Sequence, residues 1–225
     1  SAGRVSGVVD CGVSTPVAMK SLATGNHLAI HEAALWHYPG MILAWDRANN
    51  RFTSLLAGDA EVKSEVTLPF STPWRTIIVG DRAGALVESN MVLNLNEPCK
   101  LEDTSWIKPM KYVGVWWEMH LKVSTWDCDG AYPHCATTEN VKRYIDFAAE
   151  NGFGGVLVEG WNVGWGRGER FDYTQPYPDF DIEELVRYAA ERNVTIIGHH
   201  ETYANVENYE AQMAEAYEYY AQHGT

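Results

Sequence analysis

Long apolar runs are missing from this chain of 225 residues: none approaches the ~20 consecutive apolar residues that span a bilayer, so no membrane role is expected. The opening Ser1-Ala2-Gly3-Arg4 also lacks a signal-peptide core. Basic side chains are few. Seventeen Lys and Arg stand against 30 Asp and Glu, a formal net charge of −13, which argues against a surface that tracks nucleic-acid phosphates. Cysteine is scarce as well: Cys11, Cys99, Cys128 and Cys135 form no CxxC pair and show no His spacing of a structural zinc site. Only Cys128 and Cys135, in a loop with Gly and Pro, are placed for a local disulfide, and two free thiols fit equally well. Phenylalanine is outnumbered, six against nine Trp and twelve Tyr. Rings with a flat apolar face and a hydrogen-bonding edge suit sugars, although core packing is their commoner use. With 46% apolar and 21% charged residues, the chain has the balance of a folded protein with a core.

Up to about Pro98 the chain reads as short strands, Leu28-Ala29-Ile30, Met41-Ile42-Leu43-Ala44-Trp45, Thr76-Ile77-Ile78-Val79 and Met91-Val92-Leu93-Asn94-Leu95, divided by turn residues such as Thr24-Gly25-Asn26. A β-sandwich, beginning in mid-pattern, is expected over residues 1–104. From Ser105 the texture becomes βα. Tyr112 to Trp117, Gly155 to Val158 and Thr195 to Gly198 read as buried strands, and helices are expected over about 139–150, capped by Thr138, and 182–192. A last helix should turn Val206, Tyr209, Met213, Ala216 and Tyr220 toward the sheet. The fold class is therefore mixed: the C-terminal part of a β-sandwich, then about three βα units of a (β/α)8 barrel over 105–225, with the chain continuing beyond Thr225.

Glu118, Glu159 and Glu201 each follow a strand, at intervals of 41 and 42 residues. Parallel strands joined by crossover helices present such residues on one rim, where α/β proteins build active sites. Glu159-Gly160-Trp161-Asn162 sets an acid, an indole and an amide at one strand end; the acid either orients a sugar hydroxyl or is salt-bridged within the rim. In His199-His200-Glu201-Thr202, strand alternation points His199 and Glu201 to one side and His200 to the other, so the first pair can converge on a substrate. A carboxylate beside a histidine can act as a general base. Zinc held by the two histidines is the weaker reading, since their spacing matches no zinc motif. Glu32, in Ile30-His31-Glu32-Ala33-Ala34-Leu35, is either a surface acid or a hard oxygen ligand for Ca2+.

Taken in order, His31-Glu32-Ala33-Ala34-Leu35, Tyr38-Pro39-Gly40-Met41, Thr72-Pro73-Trp74-Arg75, Leu93-Asn94-Leu95-Asn96-Glu97-Pro98, Lys111 to Met119, Ala136 to Lys142, the Glu159 motif and His199-His200-Glu201-Thr202 resemble glycoside hydrolase family 97 along nearly the whole chain. This is a family of bacterial α-glucosidases and α-galactosidases. The resemblance implies a β-sandwich, a catalytic (β/α)8 barrel and a C-terminal β domain, of which this chain holds the end of the first and the start of the second. It implies Glu201 as a general base and Glu32 as a calcium ligand, with the general acid, second base and other ligands beyond Thr225. The retaining branch uses an aspartate nucleophile and lacks a glutamate at the Glu201 position. The expectation is thus a fragment, inactive alone, of an inverting, calcium-dependent, exo-acting α-glucosidase, periplasmic or extracellular in its intact form. Glu159, Trp161, His199 and Trp117 are expected to contact an oligosaccharide. A retaining α-galactosidase and a non-catalytic carbohydrate-binding remnant are the alternatives.

Overall fold

A computed structural model describes residues 12–58, 60–126, 134–165 and 170–225. Cys11 and Cys128, and with Cys128 the candidate bridge to Cys135, lie outside the described residues; Cys99 and Cys135 are free thiols. The chain divides into two units, Ser1–Glu102 and Asp103–Thr225. No helix among the described residues is long and apolar enough to cross a membrane.

The first unit contains β1 (Val13–Ser14), β2 (Val17–Lys20), β3 (His27–Ala33), β4 (Met41–Asp46), β5 (Arg51–Leu56), β6 (Trp74–Gly80) and two short helices, α1 (Gly84–Glu88) and α2 (Met91–Asn94). The strands form two antiparallel three-stranded sheets, ordered β1-β4-β5 and β2-β3-β6. Asp46 shapes the β4–β5 hairpin by accepting from the Asn49 amide at 3.1 Å, and Asn50 takes the left-handed conformation that the turn needs. The register of β3 on β6 sets Glu32 directly opposite Arg75. Opposite charges at facing positions attract, and here they form an ion pair.

The run from Met91 to Leu95, expected as a strand, is instead α2. The Asn94 amide bonds back to the Asn90 carbonyl at 2.9 Å, and the Asn96 side-chain amide bonds to the Val92 carbonyl at 2.6 Å. Leu93 is exposed, so no buried face demands the two-residue period of a strand. The converse omission is β5, whose Arg51-Phe52-Thr53-Ser54 start carries too little apolar alternation to announce itself.

The second unit runs β7 (Tyr112–Val115), α3 (Trp117–His120), α4 (Thr138–Glu150), β8 (Gly155–Val158), α5 (Ile182–Ala190), β9 (Thr195–Ile197) and α6 (Val206–His223). The strands pair in parallel in the order β7-β8-β9, with Val113 opposite Val156 and Val156 opposite Ile196. Crossover helices therefore leave the three strand ends on one rim. Val115, Val156, Val158 and Ile196 meet Val141, Ile145 and Ala148 of α4 and Leu185 and Ala189 of α5 in one core.

Three local expectations are corrected. β7 stops at Val115, and Trp117 opens a helical turn rather than ending the strand. The cap of α4 is Thr137, whose hydroxyl accepts from the Asn140 amide at 3.1 Å, while the neighbouring Thr138 ties the helix to the Asp179 carbonyl. On α6, Ala216, Tyr219 and Tyr220 face inward, but Val206 and Met213 are exposed. Asn208 and Gln212 occupy the inner face instead, both donating to the Phe171 carbonyl. The β8–α5 loop that carries Phe171 needs polar partners, so the expected stripe is buried only at Tyr209, Ala216 and Tyr220.

Candidate active site

β8 delivers Glu159 and β9 delivers His199 and Glu201. Gly160, at φ +77°, turns the chain immediately after Glu159 and redirects the indole of Trp161 into the core. His199 Nε2 lies 3.9 Å from Glu159 Oε1 and 4.0 Å from Glu201 Oε2. Both separations exceed hydrogen-bond length, and this nitrogen, though buried, has no hydrogen-bond partner among the described residues. One oxygen atom between the groups, from water or a sugar hydroxyl, would bridge them. The expected alternation holds, because His200 turns the other way, 3.2 Å from the Tyr209 hydroxyl and stacked on Tyr220. The two imidazoles diverge, which removes the zinc pairing.

Burial raises the pKa of Glu159; the His199 charge opposes this and the Glu201 charge reinforces it. Burial lowers the pKa of His200, aided by His199. Glu201 is fixed by its neighbours: its Oε1 accepts from the Tyr203 amide at 2.5 Å, and its carbonyl accepts from the buried Tyr173 hydroxyl at 2.9 Å.

The third strand-end acid does not join them. Glu118 accepts from the Cys135 thiol at 2.7 Å and the Tyr144 hydroxyl at 2.5 Å. Burial raises its pKa, but the bonds from Cys135, Tyr144 and Asn140 outweigh that and leave it below the ordinary carboxylate value. The thiol is pushed up to about 12, by burial first and then by the bond to Glu118. Glu118 thus orders the start of α4.

Trp161 is not a sugar contact. It is 2% exposed, packs between Phe180 and Tyr219, and donates its Nε1–H to the His199 carbonyl at 3.3 Å. Trp117 is 60% exposed on the opening turn of α3, with its ring 5.9 Å from His120. From there the rings run on: His120 against Trp126 at 5.3 Å, Trp126 stacked on Trp165 at 4.8 Å, and Trp165 tilted 6.2 Å from His199. Trp117 thus connects toward His199 through this series of rings. Sequence reasoning missed His120 and Trp126. Reading Trp117 to His120 as a helical turn, three residues apart on one face, would have found the histidine.

Glu32 is 6% exposed within the first unit. One carboxylate oxygen pairs with Arg75, and the other accepts from the Thr15 hydroxyl at 2.9 Å and the Met41 amide at 2.7 Å. A calcium ion takes six to eight oxygen ligands. Among the described residues no group of three or more His, Cys, Asp and Glu is placed to hold a metal. Within the described residues Glu32 is engaged by protein partners, and further oxygen ligands for a calcium ion would have to come from elsewhere.

Two family models match the chain: the glycosyl-hydrolase 97 N-terminal model over residues 3–98 and the glycoside hydrolase 97 model over residues 116–225. A glycoside hydrolase family 97 enzyme from Pseudoalteromonas sp. strain K8, solved in complex with acarbose, is 46% identical with a TM-score of 0.77 over 94% of this chain and 32% of its own. The same enzyme has been solved with panose. A retaining alpha-galactosidase of Bacteroides thetaiotaomicron is 30% identical over 89% of this chain and 31% of its own length, and a probable retaining alpha-galactosidase of Streptomyces bingchenggensis is 34% identical over 61% and 20%. The chain thus spans about a third or less of these relatives. Matched by these two models over residues 3–98 and 116–225, the chain belongs to glycoside hydrolase family 97.

Proposed function

We propose that this chain is part of an inverting, exo-acting α-glucosidase that hydrolyses α-glucosidic bonds of oligosaccharides. The observation that carries the reading is the convergence of Glu159 and Glu201 on His199 at the ends of two adjacent parallel strands. Glu201 acts as general base. It takes a proton from water as the water oxygen attacks the anomeric carbon and the bond to the leaving oxygen breaks. A carboxylic acid supplied by the rest of the longer protein protonates that oxygen. Glu159 and His199 hold hydroxyls of the sugar, the carboxylate accepting and the imidazole donating or accepting. The exposed Trp117 offers a ring face to a second sugar. The Pseudoalteromonas enzyme, the most identical of the relatives named, is solved with acarbose and, as a variant, with panose.

The remainder of the proposal concerns the whole protein: a (β/α)8 catalytic barrel, a periplasmic or extracellular location, and no turnover by the 225-residue chain alone. Calcium dependence belongs to it too. Glu32 would be one ligand, and the other oxygens would come from outside this chain.

A retaining α-galactosidase is the second reading, favoured by the names of the two curated relatives. Proton NMR of the first product separates the two. Release of β-glucose from maltose by the full-length protein supports inversion; release of an α-anomer, or hydrolysis of α-galactosides only, overturns it.

A further inference from the structure

β9 ends at Ile197, and a chain that leaves a sheet must find new partners for its backbone amide and carbonyl groups. At His199 a single side chain supplies both. The Tyr220 hydroxyl accepts from the His199 amide at 2.9 Å and donates to the His199 carbonyl at 2.8 Å. The ring has its place because residue 198 is glycine: a Cβ there would lie 2.5 Å from the Tyr220 ring. The ring is also fixed on its flank, where His200 stacks on it at 4.6 Å with 9° between planes. Burial raises the pKa of the phenol, which therefore keeps the proton it donates.

We infer that Tyr220 is a positioning residue, which clamps the backbone of His199 so that Nε2 stays between Glu159 and Glu201. The inference rests on the reading that these three groups bind and process a sugar. Its geometry is that of a support built behind a working side chain. The glycine, the stacked imidazole and the two hydrogen bonds all converge on one residue, whose own nitrogen points to the acids. A misplacement of about 1 Å in a site of this kind costs on the order of 100-fold in rate.

The test is a double-mutant cycle in the full-length natural protein, reading kcat/KM on maltose. Tyr220→Phe keeps the ring and removes the hydroxyl. It should lower kcat/KM about 10-fold or more, and should add nothing in a His199→Ala background, because its effect passes through His199. Equal losses in both backgrounds, or no loss at all, overturn the assignment. Should Tyr220→Phe fail to fold, Gly198→Ala replaces it: the added methyl displaces the ring with the hydroxyl intact, and the same pattern is expected. The His199 imidazole resonance gives a readout that needs no turnover. It should shift in Tyr220→Phe, and an unmoved resonance also overturns the inference. Glu201→Gln is run alongside. If it stays active, the general-base reading fails while the Tyr220–His199 coupling is still decided by the cycle.

Discussion

The two units are held together by different means. Among the described residues the second carries 20 buried apolar residues, Trp161, Ile145 and Leu185 among them, whereas the first carries five: Ala29, Ala33, Met41, Leu43 and Ile78. In place of a large core the first unit has Glu32. Its carboxylate, on one sheet, takes Arg75 from the same sheet and the Met41 amide from the start of β4 in the other. The contrast shows two uses of an acid. A carboxylate with every oxygen partnered ties two sheets together, while Glu159 and Glu201 flank an imidazole nitrogen that has no hydrogen-bond partner among the described residues, the arrangement on which the proposed function rests.

The sharpest way to break the comparison is at the two keystones. Trp161→Ala should destabilise the second unit by about 3–5 kcal/mol, the cost of a large core cavity, with its urea midpoint falling accordingly. That outcome would separate Trp161 from the sugar-binding role expected of it. Arg75→Ala should cost the first unit about 2–3 kcal/mol, less than a fully buried pair because Arg75 is partly exposed. Its unfolding transition should move while that of the second unit stays.

A smaller effect concerns pH. Burial first, and the Glu201 charge in the same direction, raise the native pKa of Glu159 above 4.5. The folded chain then binds more protons than the unfolded chain, so this contribution to stability is present below the ordinary carboxylate pKa and is lost as pH rises through the native value. Glu159→Gln should flatten that slope in unfolding measurements. Glu201→Gln, by removing the like charge, should lower the Glu159 pKa in a carbon-13 NMR titration.

The smallest effect needs no mutation. Cys99 in the first unit is exposed, whereas the Cys135 thiol is buried, bonded to Glu118 and pushed up to about 12. Iodoacetamide at pH 8 should label Cys99 and leave Cys135 unmodified until the chain unfolds.

Much of the second unit was legible in the sequence. β8 falls where the Gly155-Val156-Leu157-Val158 run put it, and α4 and α5 follow their apolar spacing, because buried parallel strands and amphipathic helices leave periodic signals. The divergence of His199 and His200 was legible too, since the backbone alternates sides along an extended segment. What was hidden depends on partners distant in sequence. Whether Trp161 faces a sugar or the core is decided by Tyr219 on α6, 58 residues on by sequence number. Arg75 is 43 residues from Glu32, and only the strand register sets them face to face. The helical spacing set Tyr220 on the inward face, but nothing marked its hydroxyl, because a phenol there looks like any other core residue until its bond to the backbone of His199 is traced.

The central claim is that Glu201 does chemistry rather than holds structure. It is tested most directly by Glu201→Gln in the full-length protein, with kcat on maltose and acarbose binding measured on the same sample. The account predicts a fall in kcat of about 1,000-fold, with binding changed little and the unfolding transition in place, because the amide keeps the shape and loses the base. Unchanged turnover, or lost turnover together with a lost fold, would contradict it.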